Sequence, residues 1–231
     1  MTRTTFRLAL VAACWVLWGT GAPASSAGAA AGHGRIAGTV QLTAAVSRPP
    51  SVADYVPRVV RAGSTPPPEI RNVVVYVKGA PPPASMPVVH AAIRQLDETF
   101  LPRVLAVPRG STVDFPNDDP FFHNVFSLSG AASFDLGRYA RGSTRSHTFD
   151  RPGIVKVYCD LHSYMNAVIL VLDDPYFAVP ADDGRFVIEG VPAGRYDVAA
   201  WHERIGESTG AVEVTAGATT ELTFALPVLD S

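Results

Sequence analysis

The chain has 231 residues, 47% hydrophobic and 17% charged, with 19 Lys and Arg against 21 Asp and Glu for a net charge of −2. That length suffices for one large or two small domains with real cores, and without a basic excess there is no electrostatic basis for a nucleic-acid partner. Only two cysteines, Cys14 and Cys159, are present, so at most one disulfide could form within a chain.

The first element is MTRTTFRLALVAACWVLWGTGAPASSAGAA, with two arginines and no acid, an apolar stretch from Leu8 to Trp18, and small residues at Ala22-Pro23-Ala24. This is the pattern of a secretory signal peptide over residues 1–24, cleaved after Ala24, and it predicts a periplasmic or secreted protein. A transmembrane anchor is the alternative, but Gly19, Thr20 and Gly21 interrupt the apolar run short of the roughly 20 residues a span requires. Cys14, preceded by Val11-Ala12-Ala13, also resembles a lipoprotein box, and membrane attachment is expected only if that cysteine is lipidated. Removing residues 1–24 deletes Arg3 and Arg7 and no acid, leaving 17 basic against 21 acidic side chains, a net charge of −4. Cys159 is then the single cysteine, and an unpaired thiol in an oxidising compartment implies burial, a partner chain or a metal.

Beyond the leader, helical periodicity is almost absent, while short β-rich runs punctuated by Gly, Pro and Asp recur. The fold class is therefore all-β, built from sandwiches. Strands are expected at 35–42, 72–79, 102–110 (ending in a turn), 111–117, 123–129, 143–149, 153–159 and 166–173, then at 184–190, 194–202, 210–216 and 219–226. Turn residues separate them at Pro108-Arg109-Gly110, Asp150-Arg151-Pro152-Gly153, Asp182-Asp183-Gly184 and Pro192-Ala193-Gly194. Residues 43–70 and 80–87 are proline-rich, and because proline fixes φ and removes a ladder donor they are expected to be loops.

The segment ADDGRFVIEGVPAGRYDVAAW, with Asp183, Gly184, Phe186, Ile188, Pro192, Gly194 and Tyr196 at the marker positions, resembles the carboxypeptidase regulatory-like (transthyretin-like) β-sandwich. In that family an opening G-x-I/V-x-G-x-V strand and an N-V-V-V-Y-V-type strand directly precede this segment. Both are present, at Gly34–Val40 and Asn72–Val77, but about a hundred residues intervene. The resemblance implies a discontinuous sandwich of residues 34–80 plus 175–229 with a second domain, residues 90–174, inserted at an exposed loop. Two consecutive domains are the competing arrangement.

The intervening block carries the chemistry. VDFPNDDPFFHNVFS places His123-Asn124-Val125 on an expected strand, and 36 positions after His123 stands VYCDLHSYMN, with Cys159, His162 and Met165 at C-x-x-H-x-x-M spacing. Two imidazoles and a thiolate with a distant thioether describe a type 1 copper site, in which thiolate and thioether favour Cu(I) and imidazole accommodates both oxidation states. Zinc prefers four strong donors, and methionine is not one.

On these residues, with Phe115 and Asn117 upstream and the P-G-x-V-x-V-Y-C approach strand, the block resembles a cupredoxin of the plastocyanin/amicyanin group. The resemblance implies a Greek-key β-sandwich inserted in, or adjacent to, the transthyretin-like one. It also implies one copper per chain, held by His123, Cys159, His162 and Met165, with Asn124 hydrogen-bonded around the thiolate loop to hold it shut. The whole chain, with F-D-L-G-x-Y at 134–139 and W-H-E at 201–203, further looks like exported cupredoxin-containing proteins of the methylamine-utilisation type. The implied role is a one-electron carrier, not an enzyme, since no histidine flanks Cys159 to bridge a second copper centre. His162 would reach the surface through an apolar patch of Phe121, Phe122, Leu161 and Tyr164, sized for a transient redox partner. The second hypothesis is a copper-binding cell-envelope interaction module in which the metal is structural or sensory.

Other candidates read as structural. His33 and His90 are expected to be solvated, and His147, alternating with Arg145, is expected to face solvent. Trp201-His202-Glu203 is expected to provide edge packing and a local ion pair, the alternative being that His202 helps dock the two domains or a partner. Asn117-Asp118-Asp119 is expected to be turn chemistry, since it lacks the further spaced oxygens of a calcium loop.

Overall fold

The computed structural model describes residues 32–43 and 68–227. The expected signal peptide, its cleavage site, Cys14 and most of the proline-rich stretch 43–70 lie outside the described residues.

The described chain is β throughout, apart from one 3-10 turn at Glu69–Asn72. In chain order the strands begin with β1 (His33–Leu42), β2 (Val73–Lys78), β3 (His90–Ala92), β4 (Arg94–Leu96), β5 (Thr99–Leu101) and β6 (Val104–Pro108). Next come β7 (Ser111–Pro116), β8 (His123–Leu128), β9 (Ser133–Tyr139), β10 (Thr144–Phe149), β11 (Gly153–Tyr158) and β12 (Asn166–Leu172). The last are β13 (Phe177–Ala178), β14 (Arg185–Pro192), β15 (Gly194–His202), β16 (Gly206–Val214) and β17 (Thr219–Leu226).

Two sheets, ordered β14-β1-β17 and β13-β2-β15-β16, enclose a core that includes Ile36, Val73, Val75, Val77, Phe186, Ile188, Val198 and Phe224. The parallel pairing of β1 with β17 joins strands from opposite ends of the described chain. At Gly38 a side chain would collide with the Leu222 carbonyl oxygen, a Cβ there lying 1.7 Å from it, so close strand approach requires glycine. The residues between supply sheets ordered β10-β7-β3 and β6-β12-β11-β8-β9, with the hairpin β4-β5, around a core that includes Phe100, Val113, Phe115, Val125, Phe149, Val157 and Ile169.

Alternation explains the two cores and what joins them. In β12, Ala167, Ile169 and Val171 enter one core, while Val168, Leu170 and Leu172 point the other way. In β2, Val73, Val75 and Val77 face their own core and Val74 faces outward. The outward sets meet in a third cluster of Val74, Val104, Ala106, Val168, Leu170, Leu172 and Trp201. Successive strand residues point to opposite faces, so runs such as NAVILVL and VVVYV are apolar throughout because both faces are covered.

Three expectations need correction. Residues 90–101, for which no strand is expected, hold β3, β4 and β5, each too short to show a periodic pattern. The 133–139 stretch is a strand, β9, paired with β8. The 102–110 strand is confined to Val104–Pro108.

Candidate metal centre

β11 and β12 form an antiparallel hairpin whose last pair is Tyr158 with Asn166, so residues 159–165 form its connecting loop. The Cys159 amide donates to the Met165 carbonyl at 3.3 Å and the Met165 amide to the His162 carbonyl at 2.9 Å. These bonds turn Cys159 and Met165 inward, where both are buried in the same apolar cluster, while Asp160, Leu161, Ser163 and Tyr164 remain exposed. His123 opens β8, which lies beside β11 through the Phe126–Tyr158 pair, and it is fully buried.

The loop and strand converge at three atoms. His123 Nδ1 lies 3.1 Å from His162 Nδ1; Cys159 Sγ lies 3.8 Å from His123 Nδ1 and 3.7 Å from His162 Nδ1. Donors that share one ion at bond lengths of about 2.0–2.3 Å stand about 3–4 Å apart, so this trio has the spacing for a single transition-metal ion. It is the one such His/Cys/Asp/Glu group among the described residues.

The surroundings prepare the donors. Burial opposes ionisation of Cys159, but its contact with His123, hydrogen bonds from the Asn124 and Leu161 amides and its contact with His162 outweigh it, and the thiol falls from 9.0 to about 6. Burial likewise disfavours charge on His123, yet the Cys159 and Asp119 contacts raise its pKa overall. Asn124 bridges strand and loop: its amide donates to Cys159 Sγ at 3.5 Å, its Oδ1 accepts the Asp160 amide at 3.4 Å, and its Nδ2 donates to Asp135 Oδ1 at 2.6 Å. Arg138 on β9 pairs with Asp160 at 2.8 Å, tying the loop to the same strand.

Asp119 is more than the turn residue expected. It is buried, and its Oδ2 lies 2.8 Å from His123 Nε2. Its sequence neighbourhood, Asn117-Asp118-Asp119-Pro120, carries only a turn signal. Tyr139, opposite His123 in the β8–β9 register, is also buried; its hydroxyl donates to the Phe115 carbonyl at 2.8 Å and accepts Gln95 Nε2 at 2.6 Å.

Phe121, Phe122, Leu161 and Tyr164 are 50%, 59%, 39% and 56% exposed, and the Tyr164 ring centre lies 6.0 Å from that of half-buried His162. His33 and His90 are exposed, away from the trio. His147 does not face open solvent: it is half-buried and stacked on Phe134 at 4.1 Å, and burial lowers its pKa.

Trp201-His202-Glu203 is not at an edge, because β15 lies between β2 and β16. His202 is fully buried, accepts the Arg204 amide at Nδ1 and donates from Nε2 to Glu69 at 2.9 Å. The contacts between the two sandwiches come instead from its neighbours, Trp201 in the shared cluster and Glu203, which pairs with Arg103 at 2.5 Å. Arg103 also reaches Asn166 Oδ1 at 3.4 Å, next to Met165.

A family profile described as polysaccharide lyase family 4, domain II, matches residues 157–222. No curated protein matches the chain. Among solved structures, the chain is similar to the copper-containing nitrite reductase of Thermus scotoductus, at 25% identity and TM-score 0.36, over 42% of this chain and 25% of the reductase. The chain thus spans about a quarter of that protein's length. It is similar to a purple cupredoxin of Nitrosopumilus maritimus, at 26% identity and TM-score 0.33, over 36% of this chain and 99% of the other. For the amicyanin of Paracoccus versutus the figures are 20% identity and TM-score 0.34, over 42% of this chain and 97% of the other.

Proposed function

We propose that this chain is an exported type 1 copper protein that carries single electrons between redox partners. The reading rests on one observation: the Nδ1 atoms of His123 and His162 and the Sγ of Cys159 converge within 3.1–3.8 Å of one another. Met165, buried in the same cluster as Cys159, is assigned as the weak fourth ligand. Copper bound there supplies a one-electron couple that soft sulfur and borderline imidazole donors accommodate in both oxidation states.

The chain's residues do the rest. Cys159 is readied as a thiolate by its hydrogen-bond donors. Asn124 fixes the strand to the loop, so the donor positions are set by the fold. Half-buried His162 stands at the rim beside Tyr164, and with Phe121, Phe122 and Leu161 it frames a small apolar surface for a transient redox partner. Tyr158 and Asp160, flanking Cys159, offer no imidazole for a second copper, which favours a carrier over an oxygen-reducing enzyme. The sandwich of β1, β2 and β13–β17 is assigned to the carboxypeptidase regulatory-like type on its Asp183-Gly184 and Pro192-Ala193-Gly194 turns. Residues 1–24 are assigned as the export signal.

Copper titration tests the reading. One equivalent of Cu(II) should survive dialysis and cycle reversibly with reductant and oxidant, and Cys159→Ser should abolish the colour. Copper that is lost on dialysis or does not cycle contradicts the carrier and leaves the envelope interaction module as the alternative.

A further inference from the structure

We propose that Asp119 is a positioning residue of the metal centre: its carboxylate fixes the His123 ring with the Nδ1 lone pair facing Cys159 and His162, and its buried charge favours the oxidised ion. The proposal rests on the copper reading for its second half only.

Both carboxylate oxygens are engaged. Oδ1 accepts the Asp97 amide at 2.7 Å, and Oδ2 accepts the Glu98 amide at 2.8 Å and faces His123 Nε2 at 2.8 Å. The Asp119 amide donates to Asn117 Oδ1 at 3.0 Å, and Asn117 Nδ2 in turn donates to the Phe121 and Tyr139 carbonyls at 2.8 and 3.0 Å. A turn aspartate needs only its own neighbouring backbone. Asp119 instead spans from a hairpin 21 and 22 residues upstream to a candidate ligand.

That hairpin is unusual in its own right. Asp97 and Glu98 link β4 to β5, and each has φ of 53°, a left-handed conformation that aspartate tolerates but that glutamate, standing where glycine is usual in a two-residue turn, seldom adopts. Both turn amides point at Asp119, whose carboxylate gives the strained conformation a reason to persist.

The chemistry follows from the acceptor inventory. An ionised carboxylate only accepts, so His123 Nε2 carries a ring hydrogen and, in the neutral ring, Nδ1 keeps its lone pair for an ion shared with Cys159 and His162. A carboxylate one imidazole away from an ion favours the state of higher positive charge, and at 3% exposure little water screens it.

The test compares wild type with Asp119→Asn, which keeps an oxygen able to accept from His123 without the charge, and with Asp119→Ala, which removes both. In copper-loaded protein, Asp119→Asn should keep its colour while the Cu(II)-to-Cu(I) stability ratio falls about tenfold, a rise in potential of about 59 mV for a one-electron couple. Asp119→Ala should also weaken copper binding roughly 10- to 100-fold. In metal-free protein, at a pH high enough for the ring to be neutral, nitrogen-15 NMR should show His123 as the Nε2–H tautomer in wild type and a tautomer mixture in Asp119→Ala. If the alanine variant does not fold, Asp119→Asn with a wild-type melting curve still reports the potential. An unchanged potential in Asp119→Asn overturns the electrostatic half, and a wild-type tautomer in a folded Asp119→Ala overturns the positioning half. A wild-type chain that binds no copper overturns the copper reading, while the tautomer measurement still decides the role of Asp119 in orienting the ring.

Discussion

At Cys159, burial and hydrogen bonding pull the thiol in opposite directions, and hydrogen bonding prevails. Asn124 contributes to that outcome through its main-chain amide, which donates to Sγ, while its side chain ties Asp160 to Asp135. Asn124→Ala keeps the first and removes the second. The expected result is a coloured protein whose copper affinity, read by competition with a chelator, is about 10- to 100-fold weaker; unchanged affinity would make the side chain dispensable. The meeting of Cys159 with His162 was legible because a lone cysteine outside the N-terminal apolar stretch demands a reason, and its spacing to His162 offered one. Asp119 was not legible: its local sequence fits a turn, and two of its partners, Asp97 and Glu98, come from a hairpin with no periodic signature.

Among the strands, legibility followed alternation. Ser111–Pro116 buries every second residue and reads as a strand from sequence alone. The three-residue strands β3 to β5 have no room for a pattern. Strand β15 carries a different kind of information, because His202 at its end is fully buried against Glu69 of the 3-10 turn. The His202 hydrogen bond, opposed by burial and aided by Arg204 and Asn72, lowers the Glu69 carboxyl from 4.5 to about 2. A depressed folded-state pKa contributes stability that is present above about pH 4.5 and lost as pH falls toward 2. Glu69→Gln should therefore lower stability at neutral pH and flatten the acid limb between pH 4.5 and 2, as measured by urea unfolding across that range. An acid limb as steep as that of wild type would assign the pH dependence elsewhere.

At the largest scale described, the two sandwiches are joined by the cluster in which Val74 and Trp201 of one meet Val104, Ala106, Val168, Leu170 and Leu172 of the other. No local pattern encodes this meeting, although its trace is present in the runs NAVILVL and VVVYV, apolar on both faces. Of three tryptophans, Trp15 and Trp18 fall within residues 1–24, so in a chain prepared without those residues Trp201 is the single indole and reports from this cluster. If the two sandwiches unfold together, copper held in one stabilises the other. At free copper a hundredfold above the dissociation constant, the gain is about 2.7 kcal/mol, a rise of roughly 5–10 °C in Tm for a chain of this size. Trp201 fluorescence should register that rise, and a Trp201 transition indifferent to copper would show that the sandwiches unfold independently.

The proposed single copper between His123, Cys159 and His162, with Met165 as a weak fourth ligand, is open to one decisive measurement, the optical and paramagnetic spectra of the copper-loaded chain prepared without residues 1–24. A type 1 site should give intense thiolate-to-copper absorption toward the red and a narrow copper hyperfine splitting from one ion per chain. A pale product with the wide splitting of an ordinary tetragonal site would contradict it.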